Sequence, residues 1–377
     1  MAMRKYLLNE IRNLRVLGRC SEELVPLTIF WTGSGIEINV RASELWVEVL
    51  SDYCLYETWV DVIIDNQLSQ HFMLPKGKST LCLFRGMNTK EIKNVKFIRD
   101  TQAMSDDEYN LFQILWLATD GTFEWLNDYS LRIEFIGDSI TSGEGCSGRE
   151  REMDWNSACF HAFYNYTYIT AMQLNADYHC ICQSGWGVYC SWDGNIYKNI
   201  PDHYHQICGV INGKRNKKLG AMNKWNFSNW IPEIIVINLG TNDAISFKNQ
   251  TWIDPKTNTK NFMRINEDGS FNKNDEKKIS DAIISFLKII RKYNPNSYIL
   301  WAYGMMGLEL KQIIYKSIYL YSNETKDNRL SFICLPEAAK YGYGSREHPG
   351  RNTHIVAAKV LTKWISSHLD ICSCNIY

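Results

Sequence analysis

The sequence predicts an α/β protein in two parts, a β-sandwich followed by a three-layer α/β/α unit with a mainly parallel five-stranded sheet. Three observations carry that expectation. Short β-branched or aromatic runs, separated by turn residues at sandwich-like intervals, fill roughly the first 125 positions. From about residue 130, apolar strands alternate with helical stretches, the pattern of a parallel sheet covered on both faces. The chain has 377 residues, too many for one ordinary core, and the change of pattern divides it into 1–128 and 129–377.

In the first part, strands are expected at Leu27–Trp31, Gly35–Val40, Leu45–Leu50, Trp59–Ile64, Ser79–Phe84 and Val95–Ile98. Ile36, Ile38 and Val40 alternate with polar Glu37 and Asn39, a period of two with one buried face. Pro75-Lys76-Gly77-Lys78 reads as a turn. In the second part the expected strands are Ile133–Ile136, His179–Cys182, Ile234–Leu239, Tyr298–Ala302 and Leu330–Leu335. The clearest helix runs from Asp275 to Tyr293, where Ile279, Ala282, Ile283, Phe286 and Ile290 recur at helical spacing before Asn294-Pro295. A closing helix after His348 turns Ala358, Leu361 and Ile365 inward.

Hydrophobic residues make up 45% and charged residues 22%, the profile of a soluble globular chain. Lys+Arg and Asp+Glu each total 41, so no long-range field draws nucleic acid or an anionic membrane. No apolar run approaches the ~18 residues needed to span a bilayer. Charges interrupt every apolar stretch of MAMRKYLLNEIRNLRVLGRC, which leaves no signal-peptide core, and a cytoplasmic location is expected. Twelve cysteines are scattered without CxxC pairs, with Cys180 and Cys182 on one strand and Cys372 and Cys374 in the tail, so reduced thiols are expected. Gly77-Lys78-Ser79-Thr80 resembles the end of a phosphate loop, but position 72 is Phe where Gly is required. His203-Tyr204-His205 reads as alternate residues of one strand with no second ligand pair at useful spacing. Neither a metal nor any other cofactor is therefore expected.

Chemistry concentrates where strands end. Ser139 follows the strand Ile133–Ile136 through Gly137-Asp138, a bend that exposes a hydroxyl. Asn242 follows Ile234–Leu239 in Gly240-Thr241-Asn242-Asp243, where its amide can donate to charge developing on a carbonyl oxygen. Gly185, in Gln183-Ser184-Gly185-Trp186-Gly187, offers an unobstructed backbone N–H, and with the N–H of Ser139 these make a three-donor oxyanion hole. His348, ahead of Pro349 and the last helix, supplies a general base for the hydroxyl and then an acid for the leaving alkoxide. His354 is a competitor, but its place inside the helix suits packing or support.

Taken in order, these Ser, Gly, Asn and His blocks resemble the SGNH (GDSL-type) hydrolase superfamily from about residue 131 to the end. With a β-rich part ahead of them, the chain looks like carbohydrate esterase family 2. Phe30-Trp31-Thr32-Gly33-Ser34-Gly35-Ile36, the run from Gly137 to Gly145, and Ser184-Gly185-Trp186-Gly187-Val188 are similar to that family. The resemblance implies a jelly-roll-like N-terminal domain and hydrolysis of O-acetyl groups on plant polysaccharides or their fragments, of xylan or mannan type. It makes Ser139 the nucleophile, Gly185 and Asn242 oxyanion donors, and His348 the base.

One position departs from the pattern. Many SGNH enzymes carry Asp three residues before the histidine, where this chain has Ser345. A dyad with a backbone carbonyl behind the imidazole is the favoured expectation, and a triad through Glu347 or a distant acid is the alternative. Thirteen tryptophans suit stacking on pyranose rings, and Trp186, Trp301, Tyr303 and Glu144 are the substrate-binding candidates. Two other functions fit the same residues less well. A lipid or thioester acyl hydrolase calls for an apolar lid, and no loop suits that. A carbohydrate-binding protein with an inactive esterase-like domain is at odds with four intact catalytic-type residues.

Overall fold

All six N-terminal runs read as strands form strands in the computed structural model, which describes residues 2–249 and 251–369. They belong to two six-stranded antiparallel sheets. One sheet runs in the order Cys20–Leu24, Leu27–Ile29, Leu111–Thr119, Glu44–Asp52, Gly77–Arg85, with Arg4–Tyr6 alongside Leu111–Thr119. The other runs Thr122–Glu124, Gly35–Arg41, Lys93–Arg99, Trp59–Ile64, Gln67–Met73, with Arg15–Leu17 alongside Gly35–Arg41. Ile36, Ile38 and Val40 point between the sheets with Val47, Val49, Val62, Phe97 and Phe112. Such side chains each contribute about 1.5–3 kcal/mol on full burial.

The polar face of that alternation does not meet water as a two-layer sandwich would allow. Glu37 is buried, bonded to Arg15 at 2.8 Å, Asn94 at 3.0 Å and Tyr129 at 3.0 Å. The α/β unit covers this face. Lys96 reaches the Met172 sulfur at 3.9 Å across the seam.

The α/β unit has one five-stranded parallel sheet in the order Ala176–Cys182, Leu131–Gly137, Ile234–Asn238, Tyr298–Gly304, Leu330–Leu335. Helices Tyr166–Gln173 and Arg351–His368 cover one face, where Ala358, Leu361 and Ile365 are fully buried. Helices Lys273–Tyr293 and Lys311–Thr325 cover the other, with Ile279, Ile283, Phe286 and Ile290 turned inward and Ala282 at the margin. Three layers result, as the pattern predicts. Among the described residues, no helix is long and apolar enough to cross a membrane.

The two parts share their cores. Phe30, Trp31 and Ala103 pack into the core beneath Ile235 and Ile237, and the Trp31 indole N–H donates to the Ile207 carbonyl at 2.7 Å. Arg19 crosses the seam to Glu134 at 2.7 Å, both fully desolvated. Removing either partner would strand a buried charge, a loss of several kcal/mol. Cys372 and Cys374 lie outside the described residues.

Candidate active site

The sheet order brings three adjacent carboxyl ends together, those of Ala176–Cys182, Leu131–Gly137 and Ile234–Asn238. Their loops carry Ser139, Gly185 and Asn242, and the loop before the last helix brings His348 over them. All four line one open cleft.

Local structure positions each in turn. Asp138 caps the short helix Ser139–Ser142 by accepting the Ile140 N–H at 3.0 Å, which presents Ser139 on the first turn. Burial pushes the Asp138 carboxyl up to about 7. Asp243, also raised by burial, accepts the N–H groups of Val188, Tyr189 and Cys190 at 2.9, 2.8 and 3.1 Å. It thereby fixes the loop that offers the Gly185 N–H. Gly185 has φ +80, and a Cβ there would come within 2.9 Å of the Trp192 ring. The Asn242 amide donates to the Trp186 carbonyl at 3.0 Å and lies 3.3 Å from an Asp138 oxygen. The second contact is long, so a carbonyl oxygen entering the cleft competes with it readily.

His348 completes the arrangement. Its Nε2 lies 2.9 Å from the Ser139 hydroxyl and its Nδ1 lies 2.8 Å from the Arg346 carbonyl oxygen. With Nδ1 donating to that carbonyl, Nε2 is left as the acceptor for the serine proton. Aiming the carbonyl takes strain. Arg346 and Glu347 both adopt positive φ, 55° and 58°, a conformation that costs non-glycine residues on the order of 1–2 kcal/mol each. Three bonds hold them there: Arg346 N–H to the Glu152 carbonyl, Ser345 N–H to the Gly145 carbonyl and Gly344 N–H to the His348 carbonyl. Gly145 admits this packing, because a Cβ on it would meet the Ser345 carbonyl at 2.5 Å and the His348 Cβ at 2.7 Å.

Of the two arrangements open at position 348, the geometry is that of the dyad. Glu347 is exposed and turns to a separate surface hollow with Glu150, Met153 and Tyr343, so it does not orient the imidazole. The acid that does approach is Glu144, which pairs with the Arg346 guanidinium and lies 3.9 Å from His348 Nε2. Glu347→Gln is expected to leave kcat/KM within about threefold of wild type, whereas loss of an acid that holds the tautomer costs about 10⁴-fold. Steady-state hydrolysis of 4-nitrophenyl acetate by the two proteins separates these outcomes.

Three substrate-binding expectations are corrected. Trp301 and Tyr303 are fully buried beneath the sheet's end, with the Trp301 indole donating to the Leu239 carbonyl at 3.1 Å. Trp186 is 5% exposed and packs into the same core, so only its backbone carbonyl serves the site. A strand terminus does not by itself turn a side chain towards the cleft. Glu144 does line the cleft. The aromatic groups that face it are Trp192, 51% exposed, and the pair Trp155 and Tyr56, with rings 4.4 Å apart. Tyr56, Gln102, Met104 and Asp106 come from the sandwich part, which therefore forms one wall. The Gln102 side chain also accepts the Ser184 N–H at 2.7 Å. His354 is buried, accepts the Tyr166 N–H at 3.2 Å and packs as its helical position suggests. His203 closes the helical turn Pro201–His203 and Tyr204 and His205 lie in the turn after it, so the three do not form a strand.

No protein-family model matches the chain. Its structure is similar to that of an acetyl xylan esterase (Est2A) from the rumen bacterium Butyrivibrio proteoclasticus. That match has a TM-score of 0.96 and 39% identity, covering 98% of this chain and 99% of the other. It is also similar to a family two carbohydrate esterase from Clostridium thermocellum, solved in complex with cellohexaose. There the TM-score is 0.78 at 25% identity, covering 95% and 100% of the two chains. Among curated proteins, the cellulase/esterase CelE of Acetivibrio thermocellus is 27% identical over 348 residues, 90% of this chain. The chain spans 37% of that relative's length. With near-complete overlap at 39% identity and a Ser–His pair at the sheet's carboxyl edge, the chain belongs to the family 2 carbohydrate esterases.

Proposed function

We propose that this protein is a serine esterase that removes O-acetyl groups from acetylated plant oligo- or polysaccharides of xylan type. The observation that carries the reading is the relay from the Arg346 carbonyl through His348 to the Ser139 hydroxyl, 2.8 and 2.9 Å long, at the floor of an open cleft. Ser139 attacks the acetyl carbonyl while His348 Nε2 takes its proton. The oxyanion is held by the N–H groups of Ser139 and Gly185 and by the Asn242 amide. His348 then protonates the leaving sugar hydroxyl, and water, deprotonated by the same imidazole, clears the acetyl-enzyme as acetate. Glu144 supports the imidazolium that forms in each half-reaction and holds the Arg346 loop.

The names of two relatives support the substrate class: one is called an acetyl xylan esterase, and another holds cellohexaose. Exposed Trp192 and the Trp155–Tyr56 pair flank the reacting atoms as platforms for sugar rings. A reducing, cytoplasmic setting is part of the same proposal. Ten described cysteines carry free thiols, six of them buried, which supports it.

The test is acetate release followed by NMR on defined acetylated xylo- and manno-oligosaccharides, together with nitrophenyl esters from acetate to octanoate. Acetate esters should be the fastest, with kcat/KM falling by about tenfold or more towards octanoate. A preference for long acyl chains, with no release from the acetylated sugars, sinks the carbohydrate reading.

A further inference from the structure

Outside the cleft, four side chains from well-separated segments converge at the seam between sandwich and α/β unit. Asp61 lies on the strand Trp59–Ile64 and His71 opposite it on Gln67–Met73. Asp100 follows the strand Lys93–Arg99, and His161 comes from the α/β part, just after the turn Ser157–Cys159. Among the described residues this is the one group of three or more His, Cys, Asp or Glu whose ligand atoms all lie within 4.8 Å of one another.

The ligand atoms stand near the spacing of a coordination shell, and His71 and Asp61 share a hydrogen bond. His71 Nδ1 is 2.8 Å from Asp61 Oδ1 and 3.9 Å from Asp100 Oδ2. His161 Nδ1 is 3.6 Å from Asp61 Oδ2 and 3.5 Å from Asp100 Oδ1. Donor atoms around a tetrahedral ion with bonds of about 2.0 Å stand roughly 3.3 Å apart, in the middle of this range. The rings are stacked in a file, Trp59 on His71 at 5.0 Å and His71 on His161 at 4.7 Å.

Hydrogen bonding leaves the group incomplete. Among the described residues, buried Asp61 Oδ2, Asp100 Oδ2 and His161 Nδ1 have no hydrogen-bond partner, and each lies within 4 Å of a ligand atom of another member of the group. Both aspartates are fully shielded from solvent, with His161 at 5%. Orphaned buried polar atoms are rare, since each costs about 1–3 kcal/mol. Two carboxylates facing each other in a dry pocket add like-charge repulsion. One divalent cation satisfies every orphan at once and brings the net charge of two Asp and two neutral His to zero. Two imidazole nitrogens exclude the oxygen-only sets of calcium and magnesium and suit zinc.

We propose that Asp61, His71, Asp100 and His161 bind one zinc ion that staples the sandwich to the α/β unit. The staple would sit close to the chemistry without joining it. The His161 N–H donates to the carbonyl of Gly143, the residue that ends the Ser139–Ser142 helix, at 3.1 Å. The Ala162 N–H donates to the Asp100 carboxylate. None of the four ligands lines the cleft. Spacing along the sequence hides the set, because its members come from four segments and no two are closer than ten residues.

The test uses the full chain, purified without a histidine tag, with metal content measured by inductively coupled plasma mass spectrometry. About one zinc per chain is expected after dialysis against zinc salt. Stripping with a chelator should lower Tm by about 5 °C, and zinc but not magnesium should restore it. Cobalt(II)-loaded protein should show the intense visible bands of a tetrahedral site, absent in His161→Gln. If that variant does not fold, His71→Gln, at the more exposed ligand, serves in its place. Less than about 0.1 zinc per chain after loading, with Tm unchanged, overturns the proposal and makes the group a proton-sharing carboxyl pair. Full zinc content in both histidine variants overturns it as well, because the ion then lies elsewhere.

Discussion

Ser139→Ala is expected to lower kcat for acetyl release by on the order of 10⁵- to 10⁶-fold, with the folded structure retained. Among the described residues the hydroxyl's side-chain partner is His348 Nε2 at 2.9 Å, so its removal takes away the nucleophile and little else. Alanine fits within the space serine leaves and keeps the N–H that contributes to the oxyanion hole. His348→Ala should cost about as much, and the double variant no more than either, because the two residues act as one unit. What remains would be the contribution of binding and the oxyanion donors, roughly 10³-fold over water. Initial rates on 4-nitrophenyl acetate and acetylated xylo-oligosaccharide, with thermal unfolding as a folding control, measure this. Retention of a tenth of the wild-type rate by a folded Ser139→Ala protein would remove Ser139 from the mechanism.

Ser139 and Asn242 were legible in the sequence because chemistry and topology coincide in parallel sheets. A Gly-Asp-Ser bend after Ile133–Ile136 and an Asn after Ile234–Leu239 must share an edge once the strands between them are parallel. The closing helix likewise announced itself through the spacing of Ala358, Leu361 and Ile365. Other features had no local signal. Gln67–Met73 forms a strand although its sequence, QLSQHFM, is largely polar, because pairing with Trp59–Ile64 decides it. Leu111–Thr119 is apolar without alternation, a pattern that does not distinguish strand from helix.

Side-chain direction was the harder problem. Trp301 lies on a strand that ends near the cleft, yet its ring points under the sheet. Trp192 faces the cleft from a loop with no periodicity to read. The strained Arg346 carbonyl left no mark in the sequence beyond the absence of Asp at 345. A backbone group can orient a histidine from any residue type, provided the neighbouring chain holds it. Here Gly145 and Glu152, some 200 residues earlier in the chain, do so.

Asn242→Ala should reduce kcat by about 10²- to 10³-fold, some 3 kcal/mol of transition-state stabilisation, with KM nearly unchanged. The split follows from when the bond matters. In the resting site the amide is held by the Trp186 carbonyl at 3.0 Å, and its contact with Asp138 is a long 3.3 Å. A neutral ester carbonyl gains little by displacing that contact, but an oxyanion gains a charge-assisted bond from the buried Asn242 side chain. The amide therefore stabilises the transition state more than the bound substrate, and its loss falls on kcat. Asn242→Asp sharpens the test. It preserves size but replaces the donor with an acceptor beside Asp138, so it should be at least as slow as the alanine variant. Equal losses in kcat and 1/KM for Asn242→Ala, or near-wild-type turnover by Asn242→Asp, would show that the amide organises the Gly185–Trp186 loop and does not receive the oxyanion.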